Sequence, residues 1–596
     1  MALSWPPQVH LMPILIYQDV LFCAVLAWLI HGLLLFRDGR AVERTILVGG
    51  WSVCLLLVIY AAIGSIIYEN IHSPFTYRLW VASDHLRGIR ASVVSDFSLR
   101  SASIIAKMVL LFVCISEGLW RLLPRLLEKT RLTFYSRWSA AFLLVYVFGA
   151  HMWTVTYVRY LPAVANPEFA FAQSLFESAE PILNASVPSQ YFRDFIPTTA
   201  AVRANTTPAL PLPIVPRLAL PMAHPPRHIL MVVMESVGTR RLELYGAPYH
   251  DTPQMIRLAR HSLVFDRIYA SQPYTSPAMV ALFCSVYPRH SWIPVTRSTP
   301  NLHVPGLADV LAQRGYRTAF MHFGTLGFDN QGEFLRDHGF QQVFSRASDS
   351  WGPTDAELLA TATTWMRDNF EYPFLLVIWT LDTHHPYFSA DARDYDRHDP
   401  SLNRYLNAVH STDRLIGQLT HALDEMKLSD DTLVVITGDH GEAFGEHGQT
   451  VHNFTVYDEE VHVPLLLINQ RMFDRDFHAK GIGRQIDLAP TLLALLGYNE
   501  PSSWQGSSLL DTSSVKRAYL FSGDADFIFG LVDGRFKYIF NSYRSRPELY
   551  DLASDSFEAH DLSSEPSNAA MIRRDQLRIA AWISFQNSYL HHFEPP

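Results

Sequence analysis

Two different hydrophobic patterns divide the chain. The first 160 residues contain four long apolar stretches, at about 11–36, 46–68, 101–120 and 138–157, each close to the ~20 residues that a helix needs to cross a bilayer. From His228 onward, short apolar runs alternate with stretches of helical periodicity, which indicates an α/β domain with a mainly parallel sheet. The pattern predicts about four transmembrane helices followed by a globular enzyme-like domain.

Basic residues between the apolar stretches predict the orientation in the membrane. Segment 37–44 holds three arginines and segment 121–137 holds five lysines and arginines, so both are expected on the cytoplasmic side. The chain after Tyr160 then lies outside, as in a multi-pass protein of the inner (plasma) membrane with a periplasmic or extracellular catalytic domain. Segment 69–100 also carries arginines, and an interfacial amphipathic helix is the alternative there; the number of spans, four or five, stays open.

Composition agrees with a membrane part attached to a globular part. Hydrophobic residues make up 49% of the 596 residues and charged residues 18%. The formal net charge of -9 gives no basic field for nucleic-acid backbones, so a nucleic-acid partner is not expected. Of the four cysteines, only Cys284 lies after residue 120, so the globular part cannot form an internal disulfide.

The domain boundaries follow from the same patterns. We assign residues 1–160 to the transmembrane domain and 161–227 to a connector, whose part 206–228 is too rich in proline for a helix or an inner strand. Residues 228–512 form the predicted catalytic domain, and residues 513–596 form a small C-terminal subdomain.

Metal-type side chains follow several of the predicted strands. Glu235 follows the run 229–234, His384 and His385 follow 374–380, and Asp439 and His440 follow 433–436. Ligand crevices of such sheets lie at the carboxyl ends of the strands. An acid beside a neutral imidazole suits a divalent cation. Asp439 and His440 alone are also consistent with a polar turn; the three strand ends together favour a site.

Segment 270–290 contains two candidate hydroxyl nucleophiles. Thr275 and Ser276 lie between Pro273 and Pro277, at the start of an apolar helical run. A hydroxyl at a helix N-terminus is either a cap or a nucleophile, and for an isolated pattern the cap is the ordinary interpretation.

Several motifs, in one order, resemble the sulfatase branch of the alkaline phosphatase superfamily between His228 and Leu562. They are THHPY (383–387), TGDHGEAFGEHG (437–448), HNFTVYDEEVHVPLLL (452–467), GRQIDLAPTLLALLG (483–497) and the segment 537–562. The resemblance implies an alkaline-phosphatase-like α/β sandwich with a small C-terminal α+β subdomain.

The resemblance also implies a nucleophile. Thr275 falls where sulfatases carry a Cys or Ser that is oxidised to formylglycine. A threonine cannot give that aldehyde, and the arginine of the sulfatase motif is replaced by Met279. Relatives with an unmodified threonine are membrane-anchored phosphoethanolamine or phosphoglycerol transferases of the lipoteichoic acid (LTA) synthase-like type. Ser276 is the runner-up nucleophile.

By the same resemblance, one divalent metal ion (Zn, Mn or Mg) is expected, held by Glu235, Thr275, Asp439 and His440. His384 and His452 would hold phosphate oxygens or protonate the leaving group. His447 has a direct or a supporting role, and both stay open. The acidic run 458–460 is interpreted as structural.

The leading function is a membrane-anchored, metal-dependent enzyme that moves or cleaves a phospho group. Its expected partners are a phospholipid donor, an envelope glycan or lipid acceptor, and the membrane. One departure is that glycerol-phosphate polymerases show Phe-Trp-Asn-Arg where this chain has Phe-Asp-Asn-Gln (328–331), so their arginine is missing. The alternatives are a sulfuric-ester hydrolase, and a catalytically silent membrane sensor or scaffold.

Overall fold

The structure, a computed structural model, describes ten stretches of the chain. They are residues 39–71, 102–103, 105–114, 117, 187–195, 225–346, 355–511, 516–524, 526–542 and 546–595. The chain divides into two compact units, Met1–Ser83 with Val93–Glu177, and Asp84–Ser92 with Ser178–Pro596.

The first unit contains helix α1 (Arg40–Ile71). The predicted spans at 11–36 and 138–157 lie outside the described residues. Among the residues that are described, no helix combines the length and the apolarity needed to cross a membrane. The predicted spans therefore stay a prediction.

The second unit is built on an eight-stranded sheet with the order β4-β3-β5-β1-β6-β7-β2-β8. β7 is antiparallel to both of its neighbours, and the other pairings are parallel. This arrangement confirms the mainly parallel sheet expected from the sequence. The strands are β1 (His228–Met234), β2 (Ser262–Tyr269), β3 (Arg317–Met321), β4 (Gln342–Phe344), β5 (Phe374–Trp379), β6 (Thr432–Gly438), β7 (His462–Ile468) and β8 (Phe477–Arg484).

The central strands are continuous apolar runs because both of their faces are covered. In β1, Ile229, Met231 and Val233 join the core on one face of the sheet. Leu230 and Val232 join the core on the other face. Strands that are buried on both faces lose the alternation of polar and apolar residues, which explains why β1 is apolar at every position after His228 and why β6 contains the run 433–436.

Helices cover both faces of this sheet. One core includes residues of α3, α5, α6 and α10, and the opposite core includes residues of α2, α7 and α8. The helices are α2 (Pro253–Ala259), α3 (Thr275–Cys284), α4 (Val295–Ser298), α5 (Leu307–Ala312), α6 (Gln331–Asp337), α7 (Asp355–Asn369), α8 (Pro400–Glu425), α9 (Asp458–Val461), α10 (Leu488–Leu495) and α11 (Ala569–His591).

In this sheet, three strands have no counterpart among the strands predicted from the sequence, which lie at 229–234, 318–322, 374–380, 433–436 and 464–468. β2 and β8 form one edge of the sheet, and β4 forms the other. β8 is largely exposed except at its end, so it lacks the apolar run that marks an inner strand. β4 is only 3 residues long, too short for a periodic pattern.

The C-terminal subdomain has the predicted α+β character. Its sheet is antiparallel, with the order β12-β11-β10-β9, and α11 packs on β10 and β11. A short 3₁₀ helix, Ser189–Asp194, belongs to the predicted connector, and the Phe195 ring that follows it lies 4.7 Å from the ring of Tyr519. This short helix precedes the proline-rich part 206–228, in which the sequence predicts neither a helix nor an inner strand. The strands are β9 (Ala518–Ser522), β10 (Ile528–Asp533), β11 (Phe536–Asn541) and β12 (Arg546–Asp551).

Candidate active site

The ends of β1 and β6 bring two polar segments together. The strands are parallel neighbours, with Met234 opposite Gly438. Glu235 follows β1 directly, and Asp439 and His440 follow β6. Because parallel strands end at the same edge of the sheet, residues that are far apart in the chain become neighbours.

The turn after β6 needs glycine for a close backbone approach. A Cβ atom on Gly441 would lie 2.0 Å from the carbonyl oxygen of Glu459. The backbone N–H of Gly441 donates to the carbonyl oxygen of Glu460 at 2.8 Å. The Asp-His-Gly turn is therefore fixed against the segment that contains α9.

Glu235, Asp439 and His440 form a buried cluster. One ligand atom from each residue lies within 4.8 Å of the other two. Nε2 of His440 is 3.4 Å from Oδ2 of Asp439 and 3.6 Å from Oε1 of Glu235. Two carboxylates and an imidazole are a suitable donor set for a divalent cation.

Hydrogen bonds orient these side chains so that one atom of each faces the centre of the cluster. Oδ1 of Asp439 accepts from the backbone N–H groups of Ser236 and His440, at 2.8 Å each. Nδ1 of His440 lies 2.9 Å from the carbonyl oxygen of Gly441, which leaves the Nε2 lone pair available to a cation. Oδ2 of Asp439 is buried and has no hydrogen-bond partner among the described residues.

The electrostatics of the cluster fit a bound cation. Burial raises the pKa of Asp439 to about 7 and lowers the pKa of His440 to about 3. Burial penalises the charged form of each group when no counter-charge is present. A divalent cation would favour the ionised carboxylate and would use the neutral imidazole as a ligand. The residues present therefore fit one divalent cation.

The hydroxyl of Thr275 points into the same cluster. Thr275 is the first residue of α3, and its Oγ1 is 3.2 Å from Oε1 of Glu235 and 3.4 Å from Nε2 of His440. The structure thus brings together Glu235, Thr275, Asp439 and His440, the four predicted metal-site residues.

Ser276, the runner-up nucleophile, faces a different set of groups. Its Oγ donates to Oδ2 of Asp329 at 3.0 Å, and it accepts from Nε2 of Gln331 at 3.1 Å. The side chain is fully buried. This contact set favours a structural role for Ser276.

His384 and His452 lie beside the cluster. The His452 ring is 4.2 Å from the His440 ring and 5.5 Å from the His384 ring, measured between centroids. Nδ1 of His452 lies 3.2 Å from Oε1 of Glu442, a buried carboxyl that sequence reasoning did not single out. Burial lowers the pKa of His452 to about 3 and raises that of Glu442 to about 8, so the pair contributes a fixed, neutral hydrogen-bonding unit in the absence of ligand.

His447 is engaged outside the cluster. Its Nδ1 lies 2.5 Å from Oε1 of Glu459, and its Nε2 lies 3.2 Å from the carbonyl oxygen of Glu558. Its ring stacks on Tyr457 with 3.6 Å between centroids. Burial lowers the pKa of His447, but the hydrogen bond and the negative charge of Glu459 raise it, and the net shift of the pKa is upward. These contacts favour the supporting role among the two that were left open.

His322 is a candidate that sequence reasoning missed. It follows β3 directly, and its Nδ1 lies 3.1 Å from the carbonyl oxygen of Trp379. Burial lowers its pKa, and the charges of Glu235 and His384 act on it in opposite directions, so it borders the same site. The sequence could have indicated His322 by its position directly after a strand, the same criterion that indicated Glu235, His384 and Asp439.

The structure also supplies an arginine near the segment 328–331. Nη1 of Arg297, in α4, lies 3.8 Å from Oδ1 of Asp329. Oδ2 of Asp329 accepts from the hydroxyl of Tyr274 at 2.7 Å, and Tyr274 precedes Thr275. A guanidinium group is therefore present on this side of the site, although it comes from a different position in the sequence.

Fold and site together define a class of protein: an α/β domain in which a hydroxyl group faces a cluster of side chains that can bind a divalent cation. Residues 227–498 match the family model described as Sulfatase, and residues 445–582 match that of the C-terminal part of N-sulphoglucosamine sulphohydrolase. The first match covers the part of the chain in which the motifs predicted a sulfatase-family domain, and it confirms that prediction.

Individual relatives agree with this assignment. N-acetylgalactosamine-6-sulfatase of Homo sapiens is 26% identical over 344 residues, covering 48% of this chain and 66% of that protein. Lipoteichoic acid synthase-like YvgJ of Bacillus subtilis is 26% identical over 325 residues, covering 50% of this chain and 52% of that protein. The chain thus spans about half to two thirds of the length of these relatives.

A solved structure shows that the fold is shared. A protein in the alkaline phosphatase superfamily from Vibrio parahaemolyticus superposes with a TM-score of 0.53 at 21% identity, covering 69% of this chain and 98% of that one. The sequence matches point to a hydrolase or transferase that acts on sulfate or phosphate esters, in agreement with the predicted enzyme class.

Proposed function

We propose that this protein is a metal-dependent enzyme that cleaves or transfers a phosphoethanolamine- or phosphoglycerol-type group through Thr275, at the outer face of a membrane. The observation that carries the proposal is the position of the Thr275 hydroxyl, 3.2 Å from Oε1 of Glu235 and 3.4 Å from Nε2 of His440. A hydroxyl directed into a cation-type cluster is placed to act as a nucleophile.

The identity of the residue favours phosphoryl chemistry over formylglycine chemistry. The Cβ atom of a threonine carries a methyl group, so its oxidation cannot give an aldehyde. Thr275 therefore has to act as an unmodified hydroxyl. The similarity to lipoteichoic acid synthase-like YvgJ supports this choice.

Glu235, Asp439 and His440, with the Thr275 oxygen, would hold one divalent cation, whose positive charge would lower the pKa of the Thr275 hydroxyl. The Thr275 hydroxyl donates to Oε1 of Glu235 at 3.2 Å, and this carboxylate accepts the hydroxyl proton as Thr275 reacts. Oγ1 of Thr275 bonds to the phosphorus of the donor, and the bond from phosphorus to the leaving alcohol breaks.

The neighbouring imidazoles act on the transferred group. His452 and His384 hold phosphoryl oxygens or deliver a proton to the leaving oxygen. In the second half of the reaction, an acceptor hydroxyl or water attacks phosphorus and the Thr275 oxygen leaves. The proposed donor is a phospholipid and the proposed acceptor is an envelope glycan or lipid; the long apolar stretches of the first 160 residues support a reaction at a membrane.

A sulfuric-ester hydrolase is the second candidate. The match of residues 445–582 to a sulphohydrolase C-terminal model and the similarity to N-acetylgalactosamine-6-sulfatase favour it. Sulfate and phosphate esters present similar tetrahedral groups of oxygens, so the same cluster could receive either.

Substrate choice separates the two candidates. The full-length protein, purified in detergent with Zn²⁺ or Mn²⁺, would be incubated with a nitrophenyl phosphodiester and with nitrophenyl sulfate. We expect turnover of the phosphodiester, loss of that turnover in Thr275→Ala, and its retention in Ser276→Ala. Turnover of the sulfate ester alone would contradict the proposal, and loss of activity in Ser276→Ala with full activity in Thr275→Ala would identify the other hydroxyl.

A further inference from the structure

The residue after His452 has an unusual backbone conformation. Asn453 has φ of 83°, in the left-handed region that few residues other than glycine adopt readily. Asparagine is among the exceptions, but an isolated left-handed residue needs support from its surroundings. The direction of the chain on both sides of Asn453, and so the placement of the preceding His452, depends on that support.

The support comes from the C-terminal subdomain. Nδ2 of Asn453 donates to Oδ2 of Asp524, and the carbonyl oxygen of Asn453 accepts from Oγ of Ser522 at 2.8 Å. Ser522 ends β9, and Asp524 lies in the β9–β10 hairpin. Both Ser522 and Asp524 are buried, so these bonds are protected from exchange with water.

His452 is held from two directions. Nδ1 lies 3.2 Å and 3.3 Å from the two carboxyl oxygens of Glu442, and the backbone on the other side is fixed at Asn453. With Nδ1 engaged by Glu442, Nε2 is the ring nitrogen that remains for a substrate. The ring then lies against His440, 4.2 Å between centroids.

We infer that Asp524 and Ser522 are positioning residues for His452, so that the C-terminal subdomain forms part of the active site. The inference rests on the proposed function, in which His452 contacts the transferred group or the leaving oxygen. Asp524 also lies near the residues around the nucleophile. Tyr274 precedes Thr275, and the charge of Asp524 raises the pKa of Tyr274, after the larger effects of burial and of the Asp329 charge.

A matched pair of variants tests the inference in the full-length protein. Asp524→Leu removes the acceptor for the Asn453 amide. Asp526→Leu is the control, because Oδ2 of Asp526 accepts from Nδ2 of Asn541 at 2.9 Å in the same hairpin. We expect Asp524→Leu to lower kcat by about 10- to 100-fold with little change in KM, since small misplacements of a reacting group cost this much. Asp526→Leu should leave kcat near that of the wild type.

Two further variants separate positioning from general damage. Asp524→Asn keeps an acceptor oxygen and should restore most of kcat, and Ser522→Ala should give a smaller loss than Asp524→Leu. In a His452→Ala background, Asp524→Leu should cause no further loss, because both changes remove the same contribution. An equal loss in both backgrounds, or the same loss in Asp526→Leu, would overturn the inference.

A crystal structure of Asp524→Leu gives a readout that does not depend on turnover. We expect Asn453 to leave the left-handed region and Nδ1 of His452 to move away from Glu442; an unchanged His452 would overturn the inference. The outcome is separable from that of the proposed function. If the wild type hydrolyses only sulfate esters, the proposed function fails, and the same kinetic comparison on the sulfate ester still decides whether Asp524 positions His452.

Discussion

Two buried charge clusters of the catalytic unit differ in their balance of charge. The site cluster, Glu235, Asp439 and His440, combines two carboxylates with an imidazole whose pKa burial lowers to about 3. In the second cluster, here called the anchor cluster, Nζ of Lys537 lies 2.7 Å from Asp458 and 2.9 Å from Glu558. The anchor cluster contains its own cation, and the site cluster does not.

The two clusters place their buried carboxylates in different electrostatic surroundings. In the anchor cluster, the charge of Lys537 holds the pKa of Asp458 below its usual value against the effect of burial, while burial keeps the pKa of Glu558 raised although Lys537 lowers it. In the site cluster, burial raises the pKa of Asp439 to about 7. The anchor cluster joins β11 to α9 in the folded chain, whereas in the proposed function the site cluster would gain its counter-charge from a bound ion.

The largest effect is expected for Asp439→Asn. The asparagine Oδ1 can keep the two backbone hydrogen bonds that Asp439 accepts, so the change removes a charge with little change in shape. We expect turnover to fall on the order of 10⁴-fold, as for other residues that act as a unit in catalysis, with thermal stability unchanged in metal-free buffer. Steady-state kinetics and calorimetry check the two parts; turnover within tenfold of the wild type would remove Asp439 from the site.

Lys537→Met should act on folding. It leaves the buried carboxylates of Asp458 and Glu558 without their cation, and breaking a buried ion pair costs about 3–5 kcal/mol. Denaturant unfolding measures this loss, with Lys480→Met, at an exposed position, as the control. A loss below about 0.5 kcal/mol, the range of ordinary surface changes, would show that the anchor cluster is not structural.

Metal binding should stabilise the protein through the site cluster. Zn²⁺ or Mn²⁺ added to chelator-treated protein at 100 times the dissociation constant should stabilise the folded state by about 2.7 kcal/mol. The thermal midpoint should rise in the wild type and in Lys480→Met, but not in His440→Ala. An equal rise in His440→Ala would place the ion elsewhere.

A smaller, pH-dependent effect tests whether unbalanced burial alone marks a site. Asp251 is buried, its Oδ2 has no hydrogen-bond partner among the described residues, and burial raises its pKa to about 8. A carboxyl whose folded pKa is raised contributes stability below its unfolded pKa of about 4 and loses it as the pH rises through the folded value.

We therefore expect the wild type to lose stability between pH 6 and 9, and Asp251→Asn to lose less by about 2–3 kcal/mol. Urea unfolding at both pH values measures the slope, with the exposed Asp430→Asn as the control. Turnover should be unchanged in Asp251→Asn. If turnover fell in Asp251→Asn, Asp251 would be a functional carboxylate that lies outside both clusters.

Strand ends carried most of what the sequence could predict about this site. Glu235 and Asp439 follow apolar runs that are visible in the sequence, and parallel pairing brings them together. His322 was missed because the sequence predicts a strand over 318–322, which includes this histidine, whereas β3 ends at Met321. Edge strand β8 was missed because only its end is buried.

Contacts between distant segments could not be predicted from spacing. Arg297 lies in a four-residue helix, and nothing in its local pattern relates it to Asp329. The bond from Asn453 to Asp524 spans 71 positions and joins the loop between β6 and α9 to the β9–β10 hairpin. Such contacts depend on how the subdomains pack, which neither periodicity nor motif order specifies.

The covalent state of Thr275 tests the central claim most directly. The full-length protein would be incubated with phosphatidylethanolamine and phosphatidylglycerol, quenched in acid and digested, and the peptide containing Thr275 analysed by mass spectrometry beside Thr275→Ala. We predict a phosphoethanolamine or phosphoglycerol adduct on Thr275 that Thr275→Ala lacks. An adduct on Ser276 would contradict the claim. So would phosphodiester turnover that leaves Thr275 unmodified, under quench conditions that trap the adduct of a known threonine-dependent transferase.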